Sequence, residues 1–290
     1  MNIEEKKQEI NAIINKIGKS EKRGDYDAVI QLKKELYRKK LELLDLVTKK
    51  NEKLTIPARE LRNKVKSMKP SPKYSTGVKE IDNNLEGGFE VGSLIQLAGA
   101  NFVGKTTLFL RILANIARFN KAVFFNFEMG ERRIVKRLNK LIDTEEQWDN
   151  LLINSESRDI EDLVMEISLL AEDGIKFFAI DSRMKITKKG NESEHQKVSY
   201  ISKRLSETAI KNDIIILLIN QISEEDLKSK RFSLKGSGDQ LYDADIVFFI
   251  MLEGDNKRKL ICTKNRQNDK LFAEYLPNFE TTAKEITYEG

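Results

Sequence analysis

Nine consecutive residues carry the densest chemistry in this sequence. Gly99, Ala100, Asn101, Phe102, Val103, Gly104, Lys105, Thr106 and Thr107 set two glycines apart by four residues and follow them with Lys and Thr. Glycines let a backbone wrap closely around phosphates with its amides pointing inward. A helix beginning at the end of such a loop adds a positive field. Lys105 then neutralises β- and γ-phosphate charge, and Thr106 offers a hydroxyl to Mg²⁺. The flanks suit this reading, since SLIQLA before the loop reads as a strand and LFLRILANIARF after it as a helix. The competing reading is a glycine turn with a chance Lys-Thr, which does not explain a strand and a helix in register on either side. The cofactors implied are ATP and Mg²⁺.

Three polar residues follow apolar strands and fit the same site. Asp181 ends KFFAID; a carboxylate at the tip of a buried strand needs a cationic partner, and a Mg²⁺ shared with Thr106 would be one. Glu128, in AVFFNFEMG, falls just past the second strand, on the sheet edge where ligands bind in such folds. From there it could orient or deprotonate an attacking water. Gln221 follows IIILLIN and could sense the γ-phosphate and pass its state to the next loop. Each has a plainer alternative: a turn-capping Asp, a Glu facing a helix dipole, and a polar loop start.

The elements that must position these groups form an alternating pattern from Thr76 onward. Strand candidates are Ser93–Ala98, Ala122–Phe127, Leu151–Asn154, Lys176–Asp181, Ile214–Asn220, Ile246–Met251 and Leu260–Lys264. Several are continuous apolar runs, which suits strands covered on both faces. With helical stretches between most of them, the fold class is α/β with a mostly parallel sheet. Residues 1–52 read as a helical hairpin broken between Gly18 and Gly24, with Ile10, Ile13, Ile14 and Ile17 at helical spacing. Such a pair is too small to be stable alone, which hints at oligomerisation or at packing on the rest of the chain. A short helix over 57–68 and the two-proline stretch KPSPKYST make 53–75 a linker, leaving 76–290 as the ATPase domain.

Composition sets bounds on the rest. One Cys and one His exclude an internal disulfide and a His-based zinc cluster. No apolar run approaches the ~18 residues that span a bilayer, and the first residues lack a signal-peptide core, so the chain reads as intracellular. The net charge of +5 is uneven: residues 1–75 hold 20 Lys+Arg against 11 Asp+Glu, the remainder 31 against 35. A basic end beside a mildly acidic core fits nucleic acid or an acidic partner, and equally a solvated helical face. Two loops are rich in cations. One, after Asp181, carries Arg183, Lys185, Lys188 and Lys189; the other, after Gln221, carries Lys230, Arg231 and Lys235. With only Phe232 among them as an aromatic, they suit backbone tracking better than base stacking, with solvated loops as the alternative.

Taken in order, these segments resemble the ATPase domain of replicative hexameric helicases of the DnaB type, a RecA-like domain. TGVKEIDNNLEGGFEVGSLIQLAGANFVGKTT is similar to its opening, FFNFEMGERRIVKRL to its second strand with the catalytic glutamate, and FFAIDSRMKI to its Walker B strand. HQKVSYISKRLSETAIKNDIIILLINQIS resembles the segment ending in the sensing glutamine, LKGSGDQLYDADIVFFI the loop and strand with the DAD triplet, and LICTKNRQ the Lys-x-Arg strand. The similarity covers roughly residues 76–276. It implies that Lys264 and Arg266 reach across a subunit boundary to the neighbour's γ-phosphate, and that Lys235, Gly236 and Gly238 grip a single-strand backbone. It also implies a hexameric ring on single-stranded DNA, 5′→3′ movement, and room for a primase or loader partner. The N-terminal region is smaller than the family's collar, which makes a virus or plasmid a plausible source. Ser182-Arg183 replaces the usual aromatic start after Walker B, and Gly236 a typical acidic residue. Two other functions fit part of the pattern: a recombinase of the RecA/RadA type, and an accessory protein that uses ATP as an assembly switch.

Overall fold

Glycine and its neighbour decide where the N-terminal helices turn. In the computed structural model, which describes residues 3–51, 56–156, 159–221, 243–253 and 257–276, α1 (Ile3–Arg23) runs straight through Gly18. The turn comes only at Gly24, in the left-handed region at φ 69°, where a side chain would be strained. Asp25 then caps α2 (Tyr26–Asn51), its Oδ1 accepting from Ala28 N at 3.1 Å. The two helices close on Ile10, Ile13, Ile17, Val29 and Tyr37. Lys6 is buried among Glu9 and Glu42, and Lys39 completes the cluster. A third helix, α3 (Ala58–Ser67), has no buried residue and leaves Leu61, Val65 and Met68 exposed. These three helices belong to a first unit, Met1–Pro70, and Ser71–Gly290 form a second.

In the second unit the order is β1 (Lys73–Tyr74), α4 (Lys79–Asn84), β2 (Phe89–Glu90), β3 (Ser93–Gly99), α5 (Lys105–Ala117), β4 (Ala122–Asn126), α6 (Glu131–Leu138), α7 (Glu145–Asp149), β5 (Leu151–Asn154), α8 (Ile160–Glu172), β6 (Phe177–Asp181), α9 (Glu194–Asn212), β7 (Ile215–Gln221), β8 (Ile246–Glu253), β9 (Lys257–Asn265) and β10 (Phe272–Leu276). β1 and β2 form a small antiparallel pair. The other eight strands make one sheet in the order β10-β9-β8-β3-β7-β6-β4-β5. From β5 to β8 every pairing is parallel, and β9 and β10 close one edge antiparallel.

The period-two alternation of the strands sorts their side chains into two cores. Leu97, Phe124, Phe177 and Leu217 face α5, where Phe109 and Leu113 meet them. Ala98, Phe125, Phe178 and Leu218 face α8 and α9, where Ile167 and Leu205 cover them. All seven expected strands are present. β10 is an addition, and β9 begins earlier than expected, at Lys257. Among the described residues, no helix is long and apolar enough to cross a membrane.

Candidate nucleotide site

The central strand β3 is buried along its whole length and delivers Gly99 to the start of the loop. A Cβ on Gly99 would lie 2.6 Å from the Ile250 carbonyl oxygen, so only glycine fits there. The loop ends at Gly104, at φ 106°, which precedes α5 and gives its first turn no side-chain cap. Free amides at a helix N-terminus are what a phosphate needs. Lys105 is buried and donates from Nζ to the carbonyls of Gly99 at 2.8 Å and Ala100 at 2.5 Å. Burial lowers its pKa, against the opposing charges of Asp181 and Glu128. Phe102, at φ 64° and 97% exposed, projects outward from the loop.

Asp181 ends β6, beside β4 and β7. Its Oδ2 accepts from Thr106 Oγ1 at 3.2 Å, while its buried Oδ1 has no hydrogen-bond partner. A buried acceptor-only oxygen beside a hydroxyl fits a divalent cation, so Thr106 and Asp181 are the residues that would hold Mg²⁺. Glu128 follows β4 in a turn braced by Asn126, whose Oδ1 accepts from Met129 N and whose Nδ2 donates to Met129 O. Glu128 Oε1 accepts from Ser182 Oγ at 2.6 Å and from Gln221 Nε2 at 3.4 Å. Lys105, Thr106, Glu128, Asp181 and Gln221 therefore gather at one end of the parallel strands.

Lys264 and Arg266 sit at the opposite end. β9 runs antiparallel, with Asn265 opposite Ile246 and Lys264 opposite Val247. Arg266 N donates to the Asp245 carbonyl, and Asp245 N to that of Leu94 at the start of β3. The Arg266 guanidinium lies 3.6 Å from Asp245 Oδ1. From Leu94 to Gly99 is five residues of strand, about 16 Å. Arg266 is thus far from its own chain's phosphate loop. Burial, then the Arg266 charge, lowers the Lys264 pKa, with Asp245 and Asp243 opposing.

The expected cationic loop after Asp181 divides in two. Arg183 is corrected from a solvent-facing contact to a buried one: its Nε donates to Asn220 Oδ1 at 3.1 Å, which ties the ends of β6 and β7. Lys188 pairs with Glu192 and stands 4.6 Å over the Tyr200 ring. Lys185 and Lys189 are exposed. Lys230, Arg231, Lys235, Gly236 and Gly238 lie outside the described residues.

Residues 74–146 match the family model of the DnaB-like helicase C terminal domain. Two solved structures have the same fold. One is an ATPase domain, at TM-score 0.63 and 19% identity over 75% of this chain and 92% of that one. The other is a DnaB-like replicative helicase studied with its primase, at TM-score 0.67 and 17% identity over 96% and 75%. The fold is RecA-like. The DNA repair protein RadA of Campylobacter jejuni is 26% identical over 92% of this chain and 56% of its own length. This chain thus spans little more than half of that relative.

Within this RecA-like core, three polar residues near the site escape sequence reasoning. Asn126 and Ser182 brace or contact Glu128 as described, and Arg137 on α6 lies close enough for its charge to act on Asp181. Their signal is weak, because strand order rather than sequence spacing brings them to the site. Asp181 is the most perturbed of the group. Burial, then the Glu128 charge, pushes its carboxyl from 3.8 up to about 7, against Thr106, Lys105 and Arg137. Between those two values the folded chain keeps a proton that the unfolded chain has released. Stability without a cation therefore falls as pH rises through this window and levels off above it. Asp181→Asn carries no such charge. At pH 8 it is expected to exceed the wild type by on the order of a few kcal/mol, with the gain shrinking steadily towards pH 4. Urea unfolding of both proteins across that range, without nucleotide, checks this, and a difference independent of pH would refute it.

Proposed function

We propose that this chain is an ATP-driven DNA helicase that assembles as a ring and moves along single-stranded DNA. Lys105 and the α5 amides bind the nucleotide phosphates. Thr106 and Asp181 hold Mg²⁺, which when bound neutralises phosphate charge during transfer. Glu128 accepts the proton of the attacking water, and Gln221, bonded to Glu128, links that carboxylate to the segment following β7. Lys185 and Lys189 offer phosphate contacts that carry no sequence preference, as do the expected positions in the second basic loop.

The observation that carries this reading is the division of the site. The phosphate loop, Asp181 and Glu128 occupy one end of the sheet, and the Lys264–Arg266 pair the other. A head-to-tail neighbour would bring the two ends together, and such heterologous contacts close into rings where the rotation between subunits closes and run on as open filaments where it does not. The apolar residues Leu61 and Val65 of α3 are exposed, which supports assembly. The hexameric count, the 5′→3′ direction and a primase or loader partner are carried over from the resemblance. A recombinase is the second reading, favoured by the RadA relative that matches 92% of the chain.

The test is ATP-dependent strand separation on forked DNA with both tails, with Lys105→Ala as control. Unwinding that needs the 5′ tail and is absent in the control supports the helicase. DNA-stimulated hydrolysis without unwinding removes it and makes strand exchange the next assay.

A further inference from the structure

Ser182 is fully buried and is the first residue past β6. Glu128 is exposed, so packing does not fix the direction of its carboxylate. Hydrogen bonds do: the Ser182 hydroxyl donates to Oε1 at 2.6 Å and the Gln221 amide to the same oxygen at 3.4 Å. Both donors fall on Oε1, and among the described residues no hydrogen bond engages Oε2. The 2.6 Å contact is the tighter of the two, as expected of a hydroxyl on a carboxylate.

The serine is also tied mechanically. The next residue, Arg183, is buried and anchored on Asn220, the neighbour of Gln221. The two donors to Glu128 therefore stand on adjacent strand ends that are cross-linked by Arg183. Ser182 begins the segment that turns through Arg183–Lys185 and carries the exposed Lys185 and Lys189. Thr187 O in that segment accepts from Ile160 N at 2.9 Å, which holds its middle to α8. A shift of the 182–186 stretch would move the serine hydroxyl, and with it the carboxylate.

We propose that Ser182 is a positioning residue that aims Glu128 at the attacking water and relays the position of the 182–190 segment to it. This rests on Glu128 acting as the base. The experiment compares Ser182→Ala and Ser182→Thr with wild type, and also places Ser182→Ala in a Glu128→Gln background. ATP turnover is measured with and without oligo(dT), alongside the affinity for a fluorescent ATP analogue. Ser182→Ala is expected to lower kcat by on the order of tenfold or more, leave analogue affinity within about twofold, and lose the stimulation by oligo(dT). Ser182→Thr keeps the hydroxyl and is expected to recover most of the rate. In the Glu128→Gln background Ser182→Ala should change nothing further, because the two act through one contact.

An unchanged kcat, a loss of affinity in step with kcat, or additive effects in the double variant would overturn the proposal. Stimulation that persists in Ser182→Ala would overturn the relay. The kcat-against-affinity split of Ser182→Ala, with its loss of oligo(dT) stimulation, decides the matter even if the threonine methyl does not fit the buried position. Wild-type hydrolysis without strand separation would remove the helicase reading alone, whereas an unchanged Ser182→Ala rate beside intact unwinding would remove this proposal alone.

Discussion

Lys105→Ala is expected to reduce ATP turnover by at least about a thousandfold and to weaken nucleotide binding, while the protein stays folded. The Lys105 ammonium is held in place before any ligand arrives, by the Gly99 and Ala100 carbonyls that form the loop itself. When a triphosphate enters, those two bonds are exchanged for bonds to phosphate oxygens, and the amides of the loop take over its shape. Losing a single pre-positioned donor to developing charge costs roughly 10²–10³ in rate; Lys105 also carries a full charge in a partly desolvated pocket, which deepens the loss. Folding should suffer little. The substitution leaves two carbonyl acceptors beside a loop open to water, and it removes a charge whose burial is unfavourable, as its lowered pKa records. Phosphate release and titration with a fluorescent analogue measure both effects, with circular dichroism as the check on folding. Turnover within tenfold of wild type would sink the assignment of the loop.

The order of strands explains what sequence could and could not reveal. KFFAID and IIILLIN are buried on both faces of the sheet, so their composition alone marks them as internal parallel strands. FAEYL, by contrast, has no continuous apolar run, since Glu274 sits at its centre, and as an edge strand with a single neighbour β10 leaves Ala273 and Tyr275 exposed. Gly18 has the type of a helix break, yet a side chain there would meet nothing, and a glycine in a helix interior costs only about 1 kcal/mol. The turn needs a left-handed residue followed by a cap, which Gly24 and Asp25 supply.

The site shows the same division. The phosphate loop and Asp181 are local signals, each set by a strand and the residues that follow it. The surroundings of Glu128 are not local. β4 pairs with β6 although β5 and α8 lie between them in sequence, and β6 pairs with β7 across α9. Residues 126, 128, 182 and 221 meet through those pairings. Arg183 shows the opposite error: a cation among other cations suggests a charged surface, but the Asn220 side-chain amide oxygen near the end of β7 draws it inside. Counting charges along a loop cannot separate Arg183 from Lys185, because the difference lies in a partner 37 residues away.

Sheet geometry also fixes what Arg266 can do. Level with Leu94, it is separated from Gly99 of its own chain by the length of β3. If it contributes to turnover, it does so on another protomer's nucleotide. Arg266→Ala is expected to leave nucleotide binding largely intact and to lower turnover by about 10³–10⁵, the range of arginines that stabilise transition-state charge. The partner variant Glu128→Gln removes the base and is expected to be nearly inactive as well. Neither variant alone has a competent interface. In a co-assembled equal mixture, an interface regains activity when the protomer binding the nucleotide keeps Glu128 and its neighbour keeps Arg266. Random assembly around a head-to-tail ring gives this arrangement at about a quarter of interfaces, so turnover should return to roughly a quarter of wild type. That yield sets the two simple alternatives apart. If Arg266 acted within its own chain, every protomer in the mixture would lack one required group and no activity would return. If Arg266 served only the Asp245 contact, Arg266→Ala alone would retain turnover and the mixture would show half the wild-type rate. Turnover measured as the ratio of the two variants is varied, after mixing under dissociating conditions, distinguishes the three.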